Sequence, residues 1–316
     1  MNSEISETVQ TSARAGGAAG DLLRELIDYA GLFPPAALAM GPSVANFEHY
    51  LRSDWNWILG RFITLVARLG EFEEAFAGLP TVARGTGSET WRLSVLLGSD
   101  PVGDVIRIRE FNARMASMNA GRRAIVESVE AKAASAEEIT QLSRVMPANL
   151  TVYFELPLAD AGEHVAMVAR CGRRAKIRMG GETAEKFPDA ENVVEFIRLC
   201  AAAHVPFKAT AGLHHPVRSV HRFTYQPESA SGMMHGFVNV FLAAAFLRAG
   251  IKANLAVDLL KEQSAEAFHF EVGGIGWRDR WLDRQEIDAV RHEFAISFGS
   301  CSFMEPIEDL RSLHLL

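Results

Sequence analysis

From Leu26 onward the chain alternates short apolar or β-branched runs with longer stretches whose apolar positions recur at helical spacing. The runs Leu26–Gly31, Phe62–Val66, Leu93–Leu97, Ala124–Ser128, Thr151–Glu155, Ala175–Arg178, Phe207–Thr210 and Ile296–Ser302 predict strands. Ser43–Arg52, Glu71–Ala77, Val102–Met115, Ala136–Val145, Ala161–Cys171, Asp189–Ala203 and Pro306–Leu313 predict helices. Strands that alternate with helices pair in parallel through crossover connections. Eight such units predict a (β/α)8 TIM barrel. A doubly wound open sheet is the competing architecture. It calls for a nucleotide crevice, and the chain has neither a G-x-G-x-x-G after an early strand nor a G-x-x-x-x-G-K-[ST] loop.

One segment breaks the rhythm. Between Leu213 and Phe294 the pattern predicts an apolar helix (Met234 to Arg248), a second helix (Ala253 to Glu262) and a short extra strand (Phe268 to Val272). This reads as a helical insertion of the barrel, spanning 213–294, that decorates the active face or an interface. Its most apolar stretch, Gly236 to Gly250, is too short to span a bilayer and contains Asn239 and Arg248. It reads as a buried helix or a subunit contact, which makes a homo-oligomer the expected assembly. Phe33-Pro34-Pro35, after the first strand, is a rigid turn that shapes the chain there or walls a pocket.

Composition narrows the function. The chain has 316 residues, and its net charge of -7, with no long basic run, argues against nucleic-acid binding. The three cysteines, Cys171, Cys200 and Cys301, are far apart, which disfavours a disulfide framework and points to a reducing, cytoplasmic setting. Residues 1–20 are polar and then Gly/Ala-rich. They read as a flexible tail before a single domain over 21–316.

The chemistry rests on two lysines. Lys176 and Lys208 lie in Ala175-Lys176-Ile177-Arg178-Met179-Gly180-Gly181 and Phe207-Lys208-Ala209-Thr210-Ala211-Gly212. Each closes a short apolar run and opens a glycine-containing turn, one βα unit apart. They should therefore sit at the same end of adjacent parallel strands. Two ammonium groups so placed repel each other, and partial burial favours the neutral form of one of them. A neutral amine is a nucleophile for carbonyls. Spacing alone leaves open which lysine attacks, and an ion pair of Lys176 with Glu155 is the plainer reading.

Other positions complete the candidate site. Glu127 and Glu155 end consecutive predicted strands, where a carboxylate can act as general acid or base. Glu130 competes with Glu127 for that place. Asp28 lies on the first strand as a supporting group. Arg178, two positions after Lys176, faces the same side and suits an anionic substrate. Gly299, Ser300 and Ser302 fit an anion-binding turn between the last strand and the helix near Pro306. Four of the ten histidines, His214, His215, His221 and His235, are clustered. With a carboxylate, His214, His215 and His235 would suit a divalent metal, although their spacing matches no ligand motif. Substrate contact or proton transfer is the favoured role for His214 and His215.

The ordered strand ends resemble the deoxyribose-phosphate aldolase family. Leu26-Ile27-Asp28-Tyr29-Ala30-Gly31-Leu32, Val152-Tyr153-Phe154-Glu155-Leu156, Lys176-Ile177-Arg178-Met179-Gly180, Phe207-Lys208-Ala209-Thr210-Ala211-Gly212 and Phe298-Gly299-Ser300-Cys301-Ser302 occur in the order of that family's motifs. The resemblance implies a class I aldolase barrel without a cofactor. Lys176 would form the Schiff base and Lys208 would lower its pKa. Gly212 and the Gly299–Ser302 turn would contact substrate. Arg178 and Met179 stand where the family has small hydroxyl residues, and His214-His215-Pro216 replaces its Val-Arg-Thr-type run. These departures imply a different substrate. The leading expectation is thus a Schiff-base lyase acting on a small anionic carbonyl metabolite. A metal-dependent hydrolase or lyase built on the histidines, and a non-catalytic metabolite-binding barrel, are the alternatives.

Overall fold

In the computed structural model, which describes residues 16–80, 89–117 and 122–316, the predicted alternation closes into a ring. Eight parallel strands form it: β1 (Ile27–Tyr29), β2 (Leu59–Leu65), β3 (Glu89–Leu96), β4 (Arg122–Lys132), β5 (Thr151–Glu155), β6 (Arg174–Arg178), β7 (Phe207–Thr210) and a last strand, Ala295–Ser300. The last strand pairs with β1 on one side and β7 on the other, which completes a (β/α)8 barrel.

Helices cover the ring because the strands are apolar on their outer side. Phe62 of β2 and Trp91 of β3 meet Phe47, Phe72 and Phe76 on the helices Met40–Leu51 and Leu69–Ala77, with ring centroids 4.7 to 6.1 Å apart. The helix Ala136–Val145 starts where Ser135 accepts a hydrogen bond from the Glu138 amide, and the Glu138 carboxylate accepts one from Ala134.

Two expectations are corrected. The first fifteen residues of the predicted tail lie outside the described residues, but Ala18–Leu23 forms a helix with Ala18, Ala19 and Gly20 buried. It packs against the helix Arg284–Glu293 and the small sheet described below. Arg291 pins it there, donating to the carbonyls of Leu22 at 2.6 Å and Arg24 at 3.1 Å. Small residues that read as loose are the ones that permit this close packing.

The insertion, second, holds more strand than the one predicted over Phe268–Val272, which is found at Phe268–Glu271. It holds an antiparallel hairpin, β8 (Ser219–Arg222) with β9 (Ser231–Met234), and a three-stranded antiparallel sheet, β10 (Phe268–Glu271), β11 (Gly274–Trp277) and β12 (Arg280–Asp283). The last barrel strand is therefore β13. The apolar helix Phe237–Arg248 is the crossover from β7 to β13, and Phe237 to Phe246 are all buried. Neighbouring helices and β13 enclose it, so its apolar surface is consumed within the chain. Asn239, the polar residue in this run, donates to the carbonyls of Leu259 and Glu262. Among the described residues no helix is long and apolar enough to cross a membrane.

Candidate active site

Lys176 and Lys208 are partners in register on β6 and β7. Both point into the barrel, 2% and 1% exposed. The Glu130 carboxylate lies between them. One oxygen accepts from Lys176 Nζ at 2.7 Å, the other from Lys208 Nζ at 2.7 Å and from Ser94 Oγ at 2.8 Å. Lys176 also contacts Glu155 at 2.9 Å, and the second Glu155 oxygen accepts from Arg178 Nε at 2.8 Å. Lys208 donates to Asp28 Oδ2 at 2.6 Å, where Ser297 Oγ joins at 2.8 Å, while the Arg61 amide donates to Oδ1. Gly60 makes this last contact possible. A Cβ there would stand 2.4 Å from Asp28 Oδ1 and 3.1–3.2 Å from the carbonyls of Glu25 and Ile27.

The expected repulsion between bare ammonium groups is therefore replaced by a chain of alternating charge. Burial by itself disfavours the Lys208 ammonium, but Asp28 and Glu130 outweigh it and raise its pKa above the ordinary value. The expectation that crowding leaves an amine neutral fails for Lys208. Burial likewise opposes the Glu130 carboxylate, and the pull of Lys176 and Lys208 overcomes that and holds its pKa well below normal. Asp28, against Lys208 and Arg61, and Glu155, against Lys176 and Arg178, are lowered in the same way.

These directions fix the sign of a pH dependence. Lowered carboxylates contribute stability above their unfolded values, 3.8 for Asp28 and 4.5 for Glu130 and Glu155, and lose it as pH falls through the folded values. Lys208, raised, contributes fully below 10.5 and loses its contribution as pH climbs through the higher folded value. Thermal melting followed by circular dichroism should show a plateau between these limits and a steady fall below pH 4.5. A melting temperature that rises on acidification would contradict the ion network.

Above this network, at the C-terminal ends of the strands, lies a cavity of about 500 Å³. Lys176 and Glu130 line its floor, and Lys208 does not, being screened behind Glu130. Ile63, Leu96, Thr210 and Gly299 complete the inner wall. Phe33, Pro34 and Pro35 form one side, so the rigid turn does wall the pocket. Phe223 and Met234 reach over from the β8–β9 hairpin, which places that part of the insertion on the active face. Gly212 and Gly180 let the turns after β7 and β6 touch. A Cβ on Gly212 would lie 2.7 Å from the Gly180 Cα, and Gly212 has φ +68°. Ala211 adopts φ 59° beside it, a conformation costly for a residue with a side chain and one that concentrates at functional sites.

Not every expected residue arrives. β4 continues past Ser128 to Lys132, so Glu127 is not at a strand end. The pairing register with β3 shifts there, with Leu93 opposite Val126 and Ser94 opposite Ser128, and Glu127 is the extra residue of a bulge. It pairs with Arg61 at 2.7 Å, and Glu130 takes the central place. Arg178 lines the cavity and is held by Glu155. The hydroxyl oxygens of Ser300 and Ser302 accept hydrogen bonds within the turn itself. The Ser302 amide donates to Ser300 Oγ, and Ser302 Oγ accepts from the Glu305 amide at the start of the helix Met304–Ser312. Ser94, Ser297 and Arg61 were not foreseen. Ser94 and Ser297 show only as small polar residues within apolar strands.

Three of the four histidines stay together, and His235 does not join them. His214 lines the cavity and lies 3.3 Å from Glu305. His215 is bound to Asp309 at 2.5 Å and stacks on His221, with centroids 3.3 Å apart. Burial, then the neighbouring His215, lowers the His221 pKa. His235 contacts the Pro188 carbonyl at 2.7 Å, away from the others. Among the described residues no group of three or more His, Cys, Asp or Glu is arranged to hold a metal ion.

No family model matches the chain, and no curated protein matches it either. The site is therefore read from its own geometry.

Proposed function

We propose that the protein is a class I aldolase-like lyase that makes or breaks a C–C bond beside a carbonyl through a Schiff base on Lys176. One observation carries this reading: Lys176 is the lysine that both lines the cavity and lies on two carboxylates, Glu130 and Glu155, whereas Lys208 stands behind Glu130. The (β/α)8 barrel, which commonly hosts enzymes at this face, and the likeness to the deoxyribose-phosphate aldolase pattern support it.

The chemistry follows from the contacts. Lys176 gives a proton to Glu130, and its free amine adds to the carbonyl carbon. The carbinolamine loses its hydroxyl as water, taking the proton back, and an iminium remains. Its positive nitrogen draws the electron pair of the adjacent C–C bond into an enamine as the bond breaks. A carboxylate takes the hydroxyl proton of the departing fragment. Protonation of the enamine carbon and hydrolysis then free the lysine. As the bond breaks, the iminium charge is neutralised, which removes one of the two cations that depress Glu130 and lets that carboxylate take up the proton. Lys208 and Asp28 keep that carboxylate fixed, and Glu155 aligns Lys176 with Arg178.

The test is reductive trapping. Borohydride added with acetaldehyde, acetone or pyruvate should fix the corresponding mass on Lys176, located by peptide mapping. Modification confined to surface lysines, with a carbonyl compound that the protein turns over, would remove the imine mechanism.

A further inference from the structure

The cavity over Lys176 carries four cationic side chains, Lys132, Lys176, Arg178 and Lys186, against two carboxylates, Glu130 and Glu182. This excess of positive charge occurs in a chain of net charge -7. Three of the cations, Lys132, Arg178 and Lys186, also line an adjoining depression of about 600 Å³, which carries the carboxylates Glu155, Glu185 and Asp189 as well. They stand at the seam between the two spaces.

Each is placed there by the fold. Lys132 ends β4 in register with Glu155. Arg178 ends β6 with Nε on Glu155, and its side chain stays 43% exposed. Lys186 closes the turn Ala184–Lys186, its stem against Gly181, where a Cβ would come within 3.0 Å. Lys132 and Lys186 are both exposed, and Lys186 has Glu185 as a charged neighbour. The turn after β13 is less suited to an anion. Glu305 occupies the first turn of the helix that follows, where its charge opposes a second negative group.

We infer that Lys132, Arg178 and Lys186 hold an oxyanion of the substrate, a carboxylate or a phosphate, on the β4–β6 side of the mouth. Resting on the proposed imine chemistry for its other end, the substrate is then an oxo acid or a phosphorylated carbonyl compound. Its carbonyl reaches down to Lys176 while its charge stays at the rim.

Titration calorimetry at neutral pH and low ionic strength, with malonate and with inorganic phosphate, tests the site without involving the imine, because neither probe forms one. At least one anion should bind saturably to the full chain. The Lys132→Gln/Lys186→Gln variant, changed at two exposed positions, should bind it about tenfold more weakly or worse. The tighter of the two anions identifies the class. Absence of saturable binding to the parent protein, unchanged binding by the double variant, or a loss that follows Ser302→Ala instead would each overturn the proposal. Trapping at Lys176 stands or falls separately, so loss of the imine reading with intact anion binding is recognisable.

Discussion

Replacing Glu130 with alanine is expected to cost about 3–5 kcal/mol of folding free energy, the range for breaking a buried ion network from one side. The carboxylate accepts from two ammonium groups and a serine hydroxyl at 2.7–2.8 Å. Without it, Ser94 loses its partner and the two buried lysines face each other. Asp28 and Glu155 still hold one lysine each, but no anion separates the cations. Urea denaturation of the variant against the parent measures the loss. Glu130→Gln, which keeps the volume and removes the charge, should fall between them. If the alanine variant stays within about 1 kcal/mol of the parent, Glu130 is not the hub of the network.

Replacing Lys176 with methionine is expected to do the opposite: a large loss of activity and a small loss of stability. Glu130 keeps Lys208 and Glu155 keeps Arg178, so no carboxylate is stranded, and the methionine fills most of the vacated space. The folding cost should be about 1–2 kcal/mol. Turnover should fall at least about a thousandfold, as when a covalent nucleophile is removed, and borohydride should no longer add mass at this position. Single-turnover assays and intact-mass spectra of the variant and the parent decide it. Retained turnover would move the nucleophile elsewhere or end the covalent mechanism.

The barrel was legible in the chain because its strands are apolar runs punctuated by glycine and its helices are periodic. Thr151–Glu155 and Phe207–Thr210 were read with the bounds observed. The lysine pair was legible for the same reason: two βα units in succession put equivalent positions side by side. β4 was misread where it mattered. Glu130-Ala131-Lys132-Ala133-Ala134 has the composition of a helix, so the strand was ended at Ser128 and Glu127 was preferred. A bulge, which no local pattern marks, then sets Glu130 at the centre. The lysine ammonium groups do not repel as bare charges for a related reason: Asp28 of β1, Glu130 of β4 and Glu155 of β5, remote from them in sequence, come between and beside them. In the insertion, Val272-Gly273 and Arg278-Asp279 separate short alternating runs. Those turn pairs were an available sign of the sheet β10–β12.

The site also joins the two extremes of the chain. Asp28 on β1 holds Lys208, 180 positions later, and Ser297 on β13, 269 positions later. On a ribosome, Asp28 emerges long before either partner, and until β13 arrives the barrel stays open and these charges remain wet. A nascent chain thus gains little from partial closure, because desolvating a carboxylate before its cation is in reach is costly. Ring closure and assembly of the reactive centre become a single late event, and a protein truncated before β13 should lose its stable core together with its chemistry.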